Sequence, residues 1–337
     1  RYKDRIVNRQ RFTEPETTGN YLYITDKTTG ECFNATDCNI HSIYNKNTNK
    51  CNWVNSLNSI ECYLEGESLE LTTNIVLSQE FSAVIKKVSL YNNSNIKREI
   101  LINTFLEPAM TDYMTNVVHP SFSNLLVETS YDEDLDILIA NKRKKNSNEA
   151  DMFVYSKLVG IDLEKDVETE KQKIIKKDLS AYNGEVVKYP LWPILSYRAN
   201  IILDPYERQD FYYILGVSDS RYNISNAVLK LDKNGIEKQF KLSNEINSVV
   251  ARYLKLEPTR AEIYNDIIKD VLFNKSVQND EKYWDENLSQ SLLWKYSISG
   301  DLPIILAYVD KIEKAGIVNE LINFMDYVKN RKIDLDI

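Results

Sequence analysis

The segment Gln290-Ser-Leu-Leu-Trp-Lys-Tyr-Ser-Ile-Ser-Gly-Asp-Leu-Pro-Ile304 gathers the chain's densest chemistry. Two aromatic rings (Trp294, Tyr296), two hydroxyls (Ser297, Ser299), a glycine (Gly300) and a carboxylate (Asp301) fall within eight positions. Aromatic faces stack on the C–H faces of sugars, and carboxylates accept hydrogen bonds from sugar hydroxyls. A loop rich in both, held between apolar runs, has the makings of a carbohydrate subsite. The same residues also fit a structural role. Trp294 and Tyr296 can be core residues beneath a loop, and Asp301 can cap the segment opened by Pro303.

A second polar-aromatic stretch, Val117-Val-His-Pro-Ser-Phe-Ser-Asn124, carries His119, one of two histidines. A histidine before proline is more often a structural hydrogen-bonder than a catalytic base. Trp284-Asp-Glu-Asn287 pairs two carboxylates, but little around it is apolar enough to raise a carboxyl pKa. The sequence contains no GxxxxGK[ST] loop, no GxGxxG turn and no GxSxG elbow, which excludes the usual nucleotide cradles and the hydrolase nucleophile elbow.

The elements that must position these residues belong to a chain of 337 residues, enough for a large core and two domains. Forty-two basic and 50 acidic side chains give a net charge of −8, so no positive field draws in nucleic acid. Lys142-Arg143-Lys144-Lys145 reads as a solvated loop. No apolar run is long enough to span a bilayer, and no membrane contact is expected of this segment. The chain starts Arg1-Tyr2-Lys3 and stops inside an alternating pattern at Ile333-Asp-Leu-Asp-Ile337, which reads as a piece cut at both ends.

Cys32, Cys38, Cys51 and Cys62 are separated by five, twelve and ten residues, with His41 among them. These spacings match no common zinc pattern, so no metal is expected. Reduced, partly buried thiols fit a cytoplasmic enzyme, and two disulfides would fit a secreted chain.

Up to about residue 220 the pattern is of strands. Apolar runs at 84–91 and 96–105, separated by Asn92-Asn-Ser-Asn95, carry the signature of a hairpin. Runs such as Ile100-Leu-Ile102 are apolar on both faces, as in strands packed between layers. Residues 164–177 read as a charged, weakly helical surface excursion. After about residue 222 the period shifts toward 3.6, with one face at Ile236, Phe240, Ile246, Val249, Val250, Tyr253 and Leu254. Asn234-Gly235 can turn a hairpin or separate two helices, and the spacing after it favours helix. Thr259-Arg-Ala-Glu262 reads as a capping box opening a helix that carries Ile263, Tyr264, Ile267, Ile268, Val271 and Leu272. A further stripe of Ile317, Val318, Leu321, Ile322, Met325 and Val328 predicts another helix. Residues 304–309 read as a short buried run, taken as strand.

Three segments taken together, His119-Pro-Ser-Phe-Ser-Asn-Leu-Leu-Val-Glu-Thr129, Leu215-Gly-Val-Ser-Asp-Ser-Arg221 and Gln290 to Ile304, resemble the carbohydrate phosphorylases of glycoside hydrolase family 94, formerly glycosyltransferase family 36. The branch they resemble holds the phosphorylase-like C-terminal region of cyclic β-1,2-glucan synthases and the 1,2-β-oligoglucan phosphorylases. The resemblance runs in order along the chain, and its last motif is the most specific. It implies a mainly β plus α chain: a large antiparallel β-sandwich over 1–235, linker helices over 236–275, and the beginning of an (α/α)6 barrel over 276–337.

The implied reaction is reversible inverting phosphorolysis of a β-1,2-glucan or oligoglucan to α-glucose 1-phosphate. Inorganic phosphate serves as co-substrate and no other cofactor is implied. The family's general acid sits in an Asp-Trp-Asn-Asp type motif. None occurs in this sequence, so the piece is expected to be inactive alone. In the site that the resemblance implies, Asp301 accepts from the glucose hydroxyls and Trp294 and Tyr296 form walls, with Ser299 and Gly300 beside them. The His119 loop approaches this site, often across a dimer. A cytoplasmic location follows, at the inner face of the inner membrane for a synthase. A noncatalytic carbohydrate-binding sandwich is the alternative. An extracellular structural β protein with paired cysteines is a weaker third.

Overall fold

The computed structural model describes residues 2–10, 19–36, 50–56, 59–66, 68–144, 146–147, 149–161, 165–175, 184–273, 289–311, 313 and 315–336. They form two compact units, residues 1–54 with 58–244 and residues 55–57 with 245–337.

The first unit opens with β1 (Ile6–Asn8), β2 (Asn20–Asp26), β3 (Cys32–Asn34), β4 (Lys50–Asn55) and β5 (Ser59–Glu65). There follow β6 (Leu69–Leu77), β7 (Ala83–Asn92), β8 (Arg98–Leu106) and β9 (Pro108–Thr111). Two short helices, α1 (Tyr113–Val118) and α2 (Pro120–Asn124), precede β10 (Val127–Asp132), β11 (Ile137–Lys142) and β12 (Phe153–Val159). Next come β13 (Lys165–Glu170), α3 (Lys171–Ile175), β14 (Pro193–Leu203), β15 (Arg208–Ser218), α4 (Arg221–Lys230) and α5 (Lys233–Tyr253).

An eight-stranded sheet runs β10-β11-β12-β15-β7-β6-β5-β4 and a five-stranded sheet runs β13-β14-β8-β2-β3. From β10 to β5, and throughout the smaller sheet, every pairing is antiparallel. The expected antiparallel sandwich followed by helices is the fold found. Leu22, Ile24, Ile100, Ile102, Leu195 and Tyr197 of the smaller sheet share one core with Leu71, Val88, Leu90, Val154 and Tyr213 of the larger. Each fully buried aliphatic side chain there contributes about 1.5–3 kcal/mol. The larger sheet is covered on its other face as well. Ile85, Ile139, Tyr155, Tyr212 and Ile214 pack against Ile224, Ala227, Val228, Leu231 and Ile236 of the α4–α5 region. That double burial explains why Phe211-Tyr-Tyr-Ile-Leu215 is apolar at consecutive positions.

The expected hairpin at 92–95 is not one. β7 lies in the larger sheet and β8 in the smaller, so the connection passes from one sheet to the other. Its length fits a hairpin, but its side chains build a corner. The Asn92 amide donates to the carbonyls of Ile96 (2.8 Å) and Asp204 (3.0 Å) and accepts from Ser94. Arg98 meets the fully buried Asp26 at 3.2 Å. The crossover from β14 to β15 is tied to the same corner through Asn92.

Residues 164–177 differ from expectation too. From Lys165 they form β13, an edge strand in which Glu168 and Thr169 are fully buried, and then α3. Glu164, Lys176 and Lys177 lie outside the described residues. Charged residues can occupy this strand because the Glu168 carboxylate accepts the backbone N–H groups of Thr169 and Glu170, each at 2.9 Å.

Asn234-Gly235 lies in the first turn of α5, as the helical spacing indicates. Asp232 accepts the Gly235 N–H at 2.7 Å. A Cβ at residue 235 would stand 1.8 Å from the carbonyl oxygen of Lys230, so this junction of α4 and α5 requires glycine.

In the second unit α6 (Pro258–Phe273) and α7 (Gly316–Asn330) are the main elements after the end of α5. Tyr264, Ile268, Phe324, Tyr327 and Val328 form its core, and Tyr327 donates to Asn265 at 2.7 Å. α6 starts one residue before Thr259, so the threonine sits inside the helix and not at the N-cap. The α7 stripe is only partly buried: Phe324, Tyr327 and Val328 are inside, whereas Ile317, Val318 and Ile322 are exposed. Residues 304–309 are a correction. Ile304 makes a single parallel bridge with Asp336, and Ile304, Leu306, Tyr308 and Val309 are exposed.

Candidate functional site

Residues 290–301 form a self-braced loop in the second unit. A 3-10 turn, Gln290–Tyr296, stops at Ser297, whose φ of 60° is left-handed. Gly300 follows with φ +75°, and a Cβ there would meet Gln290 Cγ at 2.8 Å. The Gln290 amide clasps both ends of the turn. It donates to the Ser299 carbonyl (2.9 Å) and to Asp301 Oδ1 (3.0 Å). The Trp294 indole N–H donates to the Ser299 carbonyl at 3.2 Å, and the Asp301 N–H to Ser299 Oγ at 3.2 Å.

These bonds join Gln290, Trp294, Ser299 and Asp301 around the Gly300 turn, and Tyr296 ends the 3-10 turn. None of them is a core residue: Trp294 is 63% and Tyr296 66% exposed. Asp301 is exposed and uses one oxygen on Gln290, and its Oδ2 has no partner among the described residues. The Lys295 ammonium lies 4.9 Å from the centre of the Tyr296 ring. The loop thus offers one uncommitted carboxylate oxygen beside an exposed indole, which suits a hydroxyl held against a stacked ring.

His119 lies in the first unit, between α1 and α2. Asp112 caps α1, accepting from the Thr115 N–H (2.8 Å) and hydroxyl (2.6 Å), and these bonds hold its carboxyl below its ordinary pKa. The His119 N–H donates to Thr115 and its carbonyl accepts from Ser123, while Pro120 opens α2. The imidazole is exposed, amid exposed Tyr113, Met114, Val117, Val118, Phe122 and Leu125.

Beneath this loop lies a group of residues that sequence reasoning missed. Arg9, fully buried, donates to Asn116 Oδ1 (3.0 Å), Glu107 Oε1 (3.0 Å), Ser123 Oγ (3.3 Å) and Asn124 Oδ1 (3.0 Å). Lys171 pairs with the other Glu107 oxygen at 2.8 Å and sits over the rings of Phe105 and Trp192. One signal was legible: Glu107 is a lone charge inside the apolar stretch 100–110. Arg9 and Lys171 carried none.

Cys32 is buried and accepts the Thr25 hydroxyl at 3.3 Å, and burial pushes its thiol pKa up. Cys62 is buried in β5. Cys38, His41, the Cys51 side chain and residues 284–287 lie outside the described residues. Among the described residues no helix is long and apolar enough to cross a membrane.

Against known families, residues 5–234 match the supersandwich domain of glycosyl hydrolase 94. The chain is 19% identical over 346 residues to cyclic beta-(1,2)-glucan synthase NdvB of Rhizobium meliloti (strain 1021), covering 95% of this chain and 12% of that protein. Among solved structures, a bacterial glucoamylase complexed with acarbose is similar with TM-score 0.44 and 13% identity, over 71% of this chain and 32% of that one. A heparan sulfate lyase HepC mutant from Pedobacter heparinus gives TM-score 0.30 and 8% identity, over 51% and 22%. The chain thus spans about an eighth of the synthase it matches and about a third of the glucoamylase chain.

Proposed function

This chain belongs to the glycosyl hydrolase 94 family through its supersandwich domain, and from that membership we propose that it is part of an enzyme for reversible, inverting phosphorolysis of β-1,2-glucan or its oligomers. The observation that carries the reading is the family match over 5–234, joined to a likeness to a cyclic β-1,2-glucan synthase along nearly the whole chain. In this reaction phosphate attacks the anomeric carbon from the face opposite the leaving oxygen. One carboxylic acid protonates that oxygen, and α-glucose 1-phosphate leaves. Phosphate replaces the water that a base would otherwise activate, so one protein carboxyl suffices.

In our reading 1–235 is the sandwich, 236–275 the linker helices and 276–337 the entry of an (α/α)6 barrel. The exposed apolar residues Ile263, Ile317, Val318 and Ile322 support this reading, because a larger helical domain would cover them. Asp301 accepts from glucose hydroxyls through Oδ2, and Trp294 and Tyr296 wall the sugar, with Ser299 and Gly300 shaping the turn. His119, amid its exposed apolar neighbours, is a second candidate sugar contact, carried by the sandwich itself. The proposed location is the cytoplasm. One observation favours a second reading, a noncatalytic carbohydrate-binding sandwich: no Asp-Trp-Asn-Asp type segment occurs in this sequence.

The test is to incubate the whole protein that carries this chain with β-1,2-gluco-oligosaccharides and inorganic phosphate. Release of α-glucose 1-phosphate is expected. Turnover of cellobiose without turnover of the β-1,2 oligomers would overturn the linkage. No phosphate-dependent product from either would overturn phosphorolysis and leave the binding module.

A further inference from the structure

His119 stands at the corner between two short helices, and its side chain takes no part in building that corner. It follows α1 and precedes α2, with φ −132° and ψ 54°. The residue at this position ordinarily turns a side-chain oxygen onto the first free N–H groups of the helix. His119 makes no such bond, and Pro120, which opens α2, has no N–H to satisfy. The imidazole is exposed, and Phe122, one helical turn further on, is exposed as well. From Tyr113 to Val127 the sequence contains no Asp, Glu, Lys or Arg. A ligand at the imidazole therefore meets no formal charge from either helix, which suits a neutral sugar.

What holds the corner lies below it. Arg9 follows β1, which pairs with β9, and the Arg9 N–H donates to the Glu107 carbonyl at 2.8 Å. The side chain is thus fixed at its root, and its guanidinium divides between the two helices. Nε donates to Asn116 Oδ1 of α1 at 3.0 Å. Nη2 donates to Asn124 Oδ1 (3.0 Å) and Ser123 Oγ (3.3 Å) of α2 and meets the Pro120 carbonyl at 3.5 Å. Nη1 donates to Glu107 Oε1 at 3.0 Å, and Lys171 holds the other oxygen of that carboxylate at 2.8 Å. One planar fork therefore grips the chain on both sides of His119. Arg9, Asn116, Ser123 and Asn124 are all buried, while the imidazole above them is not.

We propose that Arg9 is a positioning residue for sugar binding: by holding both helices that meet at His119, it sets where the imidazole is presented to the sugar. This rests on the reading of His119 as a sugar contact. A neutral imidazole carries one donor and one acceptor, which adjacent hydroxyls of a sugar answer together. The Phe122 ring offers an apolar face to sugar C–H groups. Arginine suits the task because one rigid plane reaches α1, α2 and Glu107 at once. Lysine keeps the charge opposite Glu107 and lacks the fork, so it cannot fix both helices together.

The test titrates the whole protein that carries this chain with β-1,2-gluco-oligosaccharides in a calorimeter, without phosphate. Affinity is read apart from stoichiometry, because a change that only destabilises lowers the number of competent molecules and leaves their affinity alone. His119→Ala and Arg9→Lys should each weaken the affinity about tenfold, the worth of about one hydrogen bond. The double variant should bind no more weakly than His119→Ala, because Arg9 acts through His119. Circular dichroism checks folding. Asn116→Ala, which frees only the α1 side of the fork, takes the place of Arg9→Lys if that variant does not fold. Unchanged affinity in Arg9→Lys beside weakened binding in His119→Ala would overturn the positioning role and leave His119 a contact. Losses that multiply in the double variant would overturn it too, since Arg9 would then act elsewhere. Unchanged affinity in His119→Ala would overturn the contact and the positioning role together. Product formation is not measured, so a failure of phosphorolysis leaves these outcomes as they stand.

Discussion

The His119 loop and the 290–301 loop are built on opposite principles. The first rests on a buried ionic group, Arg9 with Glu107 and Lys171, whose hydrogen bonds reach Asn116, Ser123 and Asn124 of α1 and α2. Among the described residues the second is braced by its own neighbours, through Gln290 and the Trp294 indole, and its candidate sugar-contacting side chains are exposed. Buried charges tolerate few geometries, because each must keep its partners. An exposed loop held by a few surface hydrogen bonds can adjust to what it binds. The sandwich thus presents a fixed element, and the helical unit presents an adaptable one.

Breaking the fixed element should give the largest effect. Arg9→Met leaves Glu107 buried beside Lys171 alone and strips Asn116 and Asn124 of a charged donor. The expected cost is about 3–5 kcal/mol, seen as a drop in the denaturant midpoint. Adding Glu107→Leu should recover part of it, since the second change removes the stranded carboxylate. A loss below about 1 kcal/mol for Arg9→Met would mean that the group is not the anchor.

The same unit contains a buried cation of the other kind. Lys86 has no carboxylate partner among the described residues. Its ammonium meets only the Asn20 carbonyl at 3.4 Å and the Tyr213 ring at 5.6 Å, and burial lowers its pKa to about 7. Unfolded, it would titrate at its ordinary value of 10.5. Between these values the unfolded state holds one more proton, so stability should rise with pH by on the order of 1.4 kcal/mol per unit from about 7 upward. Above about 10 the buried tyrosines oppose this, since burial raises Tyr155 to about 12 and folding must then hold its proton. Urea midpoints at pH 7 and pH 9 test the slope. Lys86→Met should flatten it, and an unchanged slope in that variant would assign the dependence to other groups.

What was legible in the sequence follows from the range of the interactions involved. Strand and helix periods are local, and they gave the sandwich, α5, α6 and α7. The clustering of Trp294, Tyr296, Ser299, Gly300 and Asp301 is also local in sequence, so spacing alone singled those residues out. The partners of Arg9 lie 98 to 115 positions away, and no local pattern encodes them. The 92–95 connection failed as a hairpin for a related reason. Its length suits pairing, but Asn92 bonds to Asp204, more than a hundred residues on, and the strands part into different sheets. The 304–309 run failed because apolar composition marks a surface to be covered without saying what covers it.

The adaptable loop should yield smaller effects on stability. Gly300→Ala forces a side chain into a left-handed backbone and against Gln290 Cγ, at a cost of about 1 kcal/mol or slightly more. The strain falls where the Gln290 clasp closes, so Asp301 should lose its brace before the unit loses its core. Proteolysis near residue 300 should quicken while the global midpoint moves little. Equal loss of both would show that the loop is part of the unit's cooperative core.

Trp294→Ala separates binding from folding most sharply. Its side chain is mostly exposed and donates to the Ser299 carbonyl, so stability should change by less than about 0.5 kcal/mol. A sugar stacked on the indole would lose roughly 0.5–1.5 kcal/mol of contact, which weakens oligosaccharide affinity in the whole protein by up to about tenfold. Trp294→Phe keeps a ring but not the N–H donor, and it should restore most of the affinity. If alanine and phenylalanine weaken binding equally, the indole acts by holding the Ser299 turn and not by stacking. If neither has any effect, the sugar does not touch this loop. The exposed indole would then serve some other contact, and the adaptable element would have to be sought elsewhere.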